Sequence, residues 1–181
     1  MLFARYDGKW YSTNYETQLA FVCKLLEDLN DVGICLDGWT WSAKNHRCYK
    51  AIGSRNLSVE YASTQCYELT KDKYQTAILA TIHSEYENRV IHTIASDHDS
   101  DFAYIGLWGN KYPDGSISWE WLDGSSVNYT NFSPNAPLVN SSAYAVLMNM
   151  NDGTWWLSDP SDNMSNNKTF HNAICMYESN E

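Results

Sequence analysis

From Ser58 to Leu69 the apolar residues Val59, Ala62, Cys66 and Leu69 recur at spacings of three and four, the period of one helix face. A second helical stretch opens at Ser84, where Glu87 stands three residues on as in a capping box, and Val90, Ile91 and Ile94 follow. Beyond residue 100 the period changes. FAYIGLW (102–108), SISWEWL (116–122), AYAVLMNM (143–150), GTWWLS (153–158) and NAICMYE (172–178) are short runs rich in β-branched and aromatic residues, the composition of strands. CLDGWTWSAKNHRCYK (35–50) reads as a short hairpin closed by Cys35 and Cys48. Two helices followed by antiparallel strands predict an α+β fold. Between 123 and 142 lies a polar loop, DGSSVNYTNFSPNAPLVNSS, of a length that in a compact domain is usually functional.

Within the GTWWLS strand, Trp155 and Trp156 are neighbours, so their side chains point to opposite faces and cannot share one core layer. Trp119 and Trp121 flank Glu120 on one strand face, where core packing explains them better than stacking on a sugar.

An internal repeat divides the chain. LFARYDGKWY (2–11) matches LMNMNDGTWW (147–156) at a constant offset, with Leu2 on Leu147, Asp7 on Asp152, Gly8 on Gly153 and Trp10 on Trp155. Each stretch is followed by an apolar cysteine segment, AFVCK (20–24) and AICMY (173–177). The period is that of a whole domain rather than a solenoid unit. Residues 1–24 are therefore expected to be the tail of a preceding domain, 25–34 a linker and 35–178 a complete second copy.

Charge and cysteine usage narrow the function. The formal net charge is -10, which disfavours nucleic acid or an anionic membrane surface as partner. No apolar run is long enough to span a bilayer, and the first residues lack the apolar stretch of a signal peptide, which suggests a fragment. Asn-x-Ser/Thr sequons stand at Asn56, Asn128, Asn131, Asn140, Asn163 and Asn167, where chance would supply about three. The five cysteines, 23, 35, 48, 66 and 175, form no CxxC pair, so zinc-ribbon and thioredoxin-like chemistry fail. Two disulfides and an unpaired Cys23 in a secreted, glycosylated chain fit these counts.

Catalytic signatures are missing from the sequence. No HExxH, G-x-S-x-G, phosphate loop or dinucleotide fingerprint occurs. SDHDSD (96–101) has Phe102 and Trp108 where an EF-hand loop would need Gly and Glu, so it reads as a solvated turn. An enzyme is not expected.

Taken in order, the cysteine hairpin, the helix carrying Cys66, YIGL (104–107), WEWLDGSSVNYTNFSP (119–134) and ICMYE (174–178) resemble the C-type lectin-like domain superfamily over residues 35–178. The resemblance implies two helices, antiparallel sheets and a long loop, with Cys66 bonded to Cys175 across the first helix and the last strand. It also implies that the stump 1–24 belongs to another such domain in tandem. The family's second core disulfide has no cysteines here.

In that family the sugar-site calcium takes ligands from the long loop and from the residues after a strand tryptophan. Those positions here read Ala136-Pro137-Leu138 and Trp155-Trp156-Leu157. Trp155 matches the structural tryptophan, while Trp156 and Leu157 replace ligands with side chains that carry no oxygen. The resemblance therefore implies no cofactor, the sugar-site calcium being absent, and a glycan or a protein as ligand. The candidate ligand-binding residues are Asn135, Pro137, Leu138 and Trp156, as an apolar tip of the long loop. The alternative for the same residues is mutual packing in place of the lost metal.

Overall fold

In the computed structural model the helix expected after Ser58 runs Val59–Glu68 (α1), with the Ser58 hydroxyl accepting from the Tyr61 N–H at 3.2 Å as its N-cap. The second helix is Glu85–Ala95 (α2), and Ser84 Oγ accepts from the Glu87 N–H at 3.2 Å. The Glu87 carboxylate reaches back one residue further than a capping box requires, to the N–H of His83 at 2.7 Å. The structure describes residues 2–4, 10–12, 35–54, 57–95, 100–136, 139–160 and 171–179. Cys23, Asn56, Pro137, Leu138, Asn163, Asn167 and the expected linker 25–34 lie outside them.

Strands β1 (Leu2–Ala4) and β2 (Trp10–Ser12) pair antiparallel as a separate two-stranded sheet. The remaining strands are β3 (Thr40–Ser42), β4 (Arg47–Ser54), β5 (Ile78–Leu79), β6 (Phe102–Lys111), β7 (Ile117–Trp121), β8 (Ala143–Asn149), β9 (Trp155–Ser158) and β10 (His171–Glu178). They form one sheet in the order β3-β4-β10-β6-β8-β9, with β5 added to β10 and β7 to β6. Most pairs are antiparallel as expected, but β10 runs parallel to β6 over His171–Ala173 and Phe102–Tyr104. The last strand is inserted between the first hairpin and β6, and hydrophobic periodicity carries no information on strand direction. Two-residue β5 is too short to leave a periodic signal at all.

The sheet separates two apolar clusters. On one face Cys48, Tyr104, Leu147, Ala173, Cys175 and Tyr177 pack with Val59, Ala62 and Cys66 of α1. On the other, Ile105, Leu107, Val146, Met148, Trp155 and Ile174 pack with Ile91 and Ala95 of α2. Two disulfides tie this arrangement: Cys35 to Cys48 across the hairpin, and Cys66 of α1 to Cys175 of β10.

A single turn chemistry recurs. In Asp114-Gly115-Ser116, Asp123-Gly124-Ser125 and Asp152-Gly153-Thr154 the aspartate accepts from the N–H two residues on, each time at 2.9 Å. Gly124 and Gly153, at φ 74° and 72°, supply the left-handed conformation that closes the turns at either side of the long loop.

Candidate functional site

The long loop leaves β7 after Trp121 and returns at β8, and one residue organises the part nearest the sheet. Trp155 of β9 is wholly buried. Its ring meets Trp121, Tyr129 and Phe132 edge-on, at centroid separations of 5.8, 5.7 and 5.6 Å. Its backbone N–H donates to the Asn131 carbonyl at 2.8 Å, and its carbonyl accepts from the Ser133 N–H at 3.0 Å. The loop thus adds a one-residue parallel bridge, Phe132 against Trp155, to the sheet edge. Burying an indole of this size contributes about 4–6 kcal/mol before conformational entropy is charged against it.

Two asparagines complete the joint. Asn88, buried on α2, accepts from the Trp155 indole N–H at 2.7 Å and donates to the Gly153 carbonyl at 3.0 Å. Asn131 of the loop donates to that same carbonyl at 2.9 Å. Helix, strand turn and loop therefore converge on Gly153 and Trp155. Nothing in the sequence pattern marked Asn88 except its place in line with Ile91 and Ala95, a polar residue inside an apolar helix stripe.

The start of the loop is held by a second, polar joint. Asp123 accepts from the Thr81 hydroxyl at 3.0 Å and from the Ser125 N–H and hydroxyl. His83 Nε2 lies 3.2 Å from both the Thr81 and Ser125 hydroxyl oxygens. Partial burial pushes the Asp123 carboxyl upward, but the bonds from Ser125 and Thr81 outweigh it and hold the group below the usual carboxylate range. Arg47 of β4 reaches the same Thr81 hydroxyl at 3.3 Å, Glu178 at 3.4 Å and Glu87 at 3.9 Å.

The positions where the resemblance implies calcium ligands can now be tested for fit. Ala136 is half-buried and offers no side-chain oxygen, and Leu157 packs against the α2-side cluster. Trp156 lies on the opposite sheet face, its ring 5.1 Å from Phe102. Nearby Asp152 is committed to the Thr154 N–H and hydroxyl, which hold its carboxyl below the usual range. Among the described residues no group of three or more His, Cys, Asp or Glu side chains is gathered as a metal site. Ala136, Trp156 and Leu157 offer a cation no side-chain oxygen. The expected apolar tip also divides: Asn135 is exposed in the loop, whereas strand alternation turns Trp156 away from the loop toward Phe102.

The sequence profile of the lectin C-type domain matches residues 55–177. The chain belongs to the C-type lectin domain family. The secretory phospholipase A2 receptor of Bos taurus is 28% identical over 158 residues, which is 81% of this chain and 10% of the receptor. Human lymphocyte antigen 75 is 29% identical over 143 residues, 74% of this chain and 8% of that protein. This C-type lectin domain thus spans about a tenth of the length of the curated relatives it matches. Among solved structures, the C-type lectin CEL-I from Cucumaria echinata superposes with a TM-score of 0.61 at 20% identity, covering 80% of this chain and 98% of that one, and so shares the fold. No helix among the described residues is long and apolar enough to cross a membrane.

Proposed function

We propose that this domain is an extracellular, glycosylated recognition module that binds a glycan without a calcium ion in its long loop. The observation that carries this reading is the Trp155 joint. Aromatic packing and the Asn88–Gly153–Asn131 bonds hold the base of the loop without any cation ligand among them, which supports a loop that stands without calcium. Calcium takes about six to eight oxygen ligands with carboxylates offsetting its desolvation, and Trp156 and Leu157 offer none. A recognition module rather than an enzyme is supported by the matches to the lectin C-type domain family and to proteins named as lectins and receptors. The internal repeat supports a tandem origin, with residues 1–24 as the end of a preceding domain of the same family.

A second reading is recognition of a protein. It is favoured by the matched relative named as a receptor for a secretory phospholipase A2. A glycan array probed with and without chelator separates the readings. Glycan binding unchanged by chelator supports the first. Binding that is abolished by chelator overturns it, and a blank array beside capture of a protein ligand favours the second.

A further inference from the structure

Strand β4 outruns the strand that covers it. β3 pairs only with Arg47, Cys48 and Tyr49, so β4 continues from Lys50 to Ser54 with no neighbouring strand on that side among the described residues. The bonds made by β10 fix which backbone groups face this open edge. The Ser179 N–H donates to the His46 carbonyl at 2.9 Å, in register with the β10–β4 pair, so the bonded rungs of that pair are those of Cys48, Lys50 and Ile52. The Ile174 carbonyl, opposite Ala51, turns the other way and accepts from the Ala80 N–H at 2.7 Å. Ala51 and Gly53 therefore direct their N–H and C=O groups outward, where no backbone partner meets them among the described residues. Gly53 is exposed to solvent.

A groove lies on either side of the edge. On the α1 side Ile52, Leu57, Tyr61, Gln65 and Leu69 line one of about 240 Å³. On the α2 side Tyr49, Ala51 and Ile94 stand in the walls of one of about 410 Å³. A strand laid beside β4 would send successive side chains to opposite faces. Its residue opposite Ile52 would enter the first groove, and its residue opposite Ala51 the second. Outward backbone groups flanked by a groove on each face are the elements of recognition by strand addition.

Charge selects the occupant. From Gly38 to Val59 there is no Asp or Glu, yet Lys44, Arg47, Lys50 and Arg55 fall within that stretch of a chain with net charge -10. Lys50 belongs to no ion pair among the described residues, and it shares the α1 face with Ile52 at the end of the overhang nearest β3. A second copy paired edge to edge would set like charges against each other, whereas an acidic segment would meet opposite ones.

We infer that the open edge of β4 binds an extended acidic segment of a protein partner, apolar at the positions that enter the grooves and carrying Asp or Glu beside Lys50. The inference rests on the protein-recognition reading above and gives that reading a place on the fold.

The test is an NMR titration of the isotope-labelled chain with the acetylated, amidated hexapeptide STLVEE, and with the same peptide N-methylated at its leucine and valine amides. The expected result is binding at up to about 1 mM peptide, with the largest shifts at the Ala51 and Gly53 amides. The N-methylated peptide, whose backbone cannot pair, should give none. Ala51→Pro removes an outward N–H without breaking a bond to β10, so it should fold and abolish binding. Lys50→Glu should weaken binding about tenfold, while a peptide with Gln in place of Glu should bind both proteins alike. Melting curves show whether each variant is folded, and the N-methylated peptide carries the test if Ala51→Pro is not. Equal binding of the two peptides, shifts confined to other residues, or no binding at all overturns the edge. A dimer that protects the same two amides without peptide overturns the peptide as occupant. A protein ligand whose capture survives Ala51→Pro overturns the edge but leaves the protein-recognition reading standing.

Discussion

The indole N–H of Trp155 donates to the carboxamide oxygen of Asn88 at 2.7 Å, with both residues buried and 67 positions apart in the chain. Replacing Asn88 with Ala leaves a buried indole donor without a partner and removes one of two donors to the Gly153 carbonyl. The expected cost is about 2–4 kcal/mol, because an unmade buried bond costs more than a made one contributes. Chemical denaturation checks it. A variant within 0.5 kcal/mol of wild type, about the spread of ordinary surface substitutions, would show that the joint does not hold the loop.

Calcium should leave the melting temperature unchanged. A site of 0.1 mM affinity at 10 mM calcium would add about 2.7 kcal/mol, a rise of several degrees for a domain of this size. Scanning calorimetry with calcium and then chelator reads this directly, and a clear rise would place a cation in the native state.

Arg47 separates buried from exposed electrostatics within one side chain. Arg47 and Glu87 are each 12% exposed, whereas Glu178 is 77% exposed. Glu178→Gln should therefore change stability by less than about 1 kcal/mol. Arg47→Ala should cost about 2–4 kcal/mol, since it takes the counter-charge from a Glu87 carboxylate left with only the His83 N–H, and removes a donor to Thr81. Equal effects from the two variants would refute this division.

Acid should loosen the base of the long loop. The Asp123 carboxyl is held below its ordinary value, so its contribution is complete above the unfolded carboxylate pKa near 3.9 and is lost as pH falls through the lower folded value. Stability measured from pH 5 downward should decline, and Asp123→Asn should flatten that decline. An unaltered slope would assign the acid limb to other groups, with Asp152, depressed by Thr154, next in line.

Glycan occupancy should follow side-chain freedom. Asn128 and Asn140 are exposed, whereas the Asn131 amide nitrogen is half-buried and bonded to the Gly153 carbonyl. Secretory expression should give glycans at Asn128 and Asn140 and leave Asn131 bare in the folded fraction. Site mapping by mass spectrometry decides it, and a fully occupied Asn131 would contradict the loop joint.

Much of this was legible from patterns that are local or strictly periodic. The helix over Val59, Ala62 and Cys66 and the strand runs after residue 100 emerge because burial imposes a repeat on the chain. The opposite orientation of Trp155 and Trp156 followed from strand alternation alone. What resisted reading were pairings between distant residues. Asn88 with Trp155, Asn131 with Gly153 and the parallel run of β10 beside β6 depend on topology. The grouping of Asn135 with Trp156 came from motif order, and nearness on a motif does not fix which sheet face a side chain occupies.

The adjacency of β4 and β10 also determines how the domain would carry tension. Cys35 is bonded to Cys48, which sits opposite Tyr177, so a chain pulled from Cys35 and from Glu178 opens the strand pair one rung at a time from its outer end. Peeling frees Tyr177 and Met176 and then meets Cys175, bolted to Cys66. Pulled fully straight, the oxidised domain can pay out only about 20 residues of chain, or ~70 Å, against ~500 Å once both bonds are reduced. The two cysteine pairs make the domain a short tether: α2, the long loop and Trp155 lie inside the 66–175 covalent loop, outside the load path.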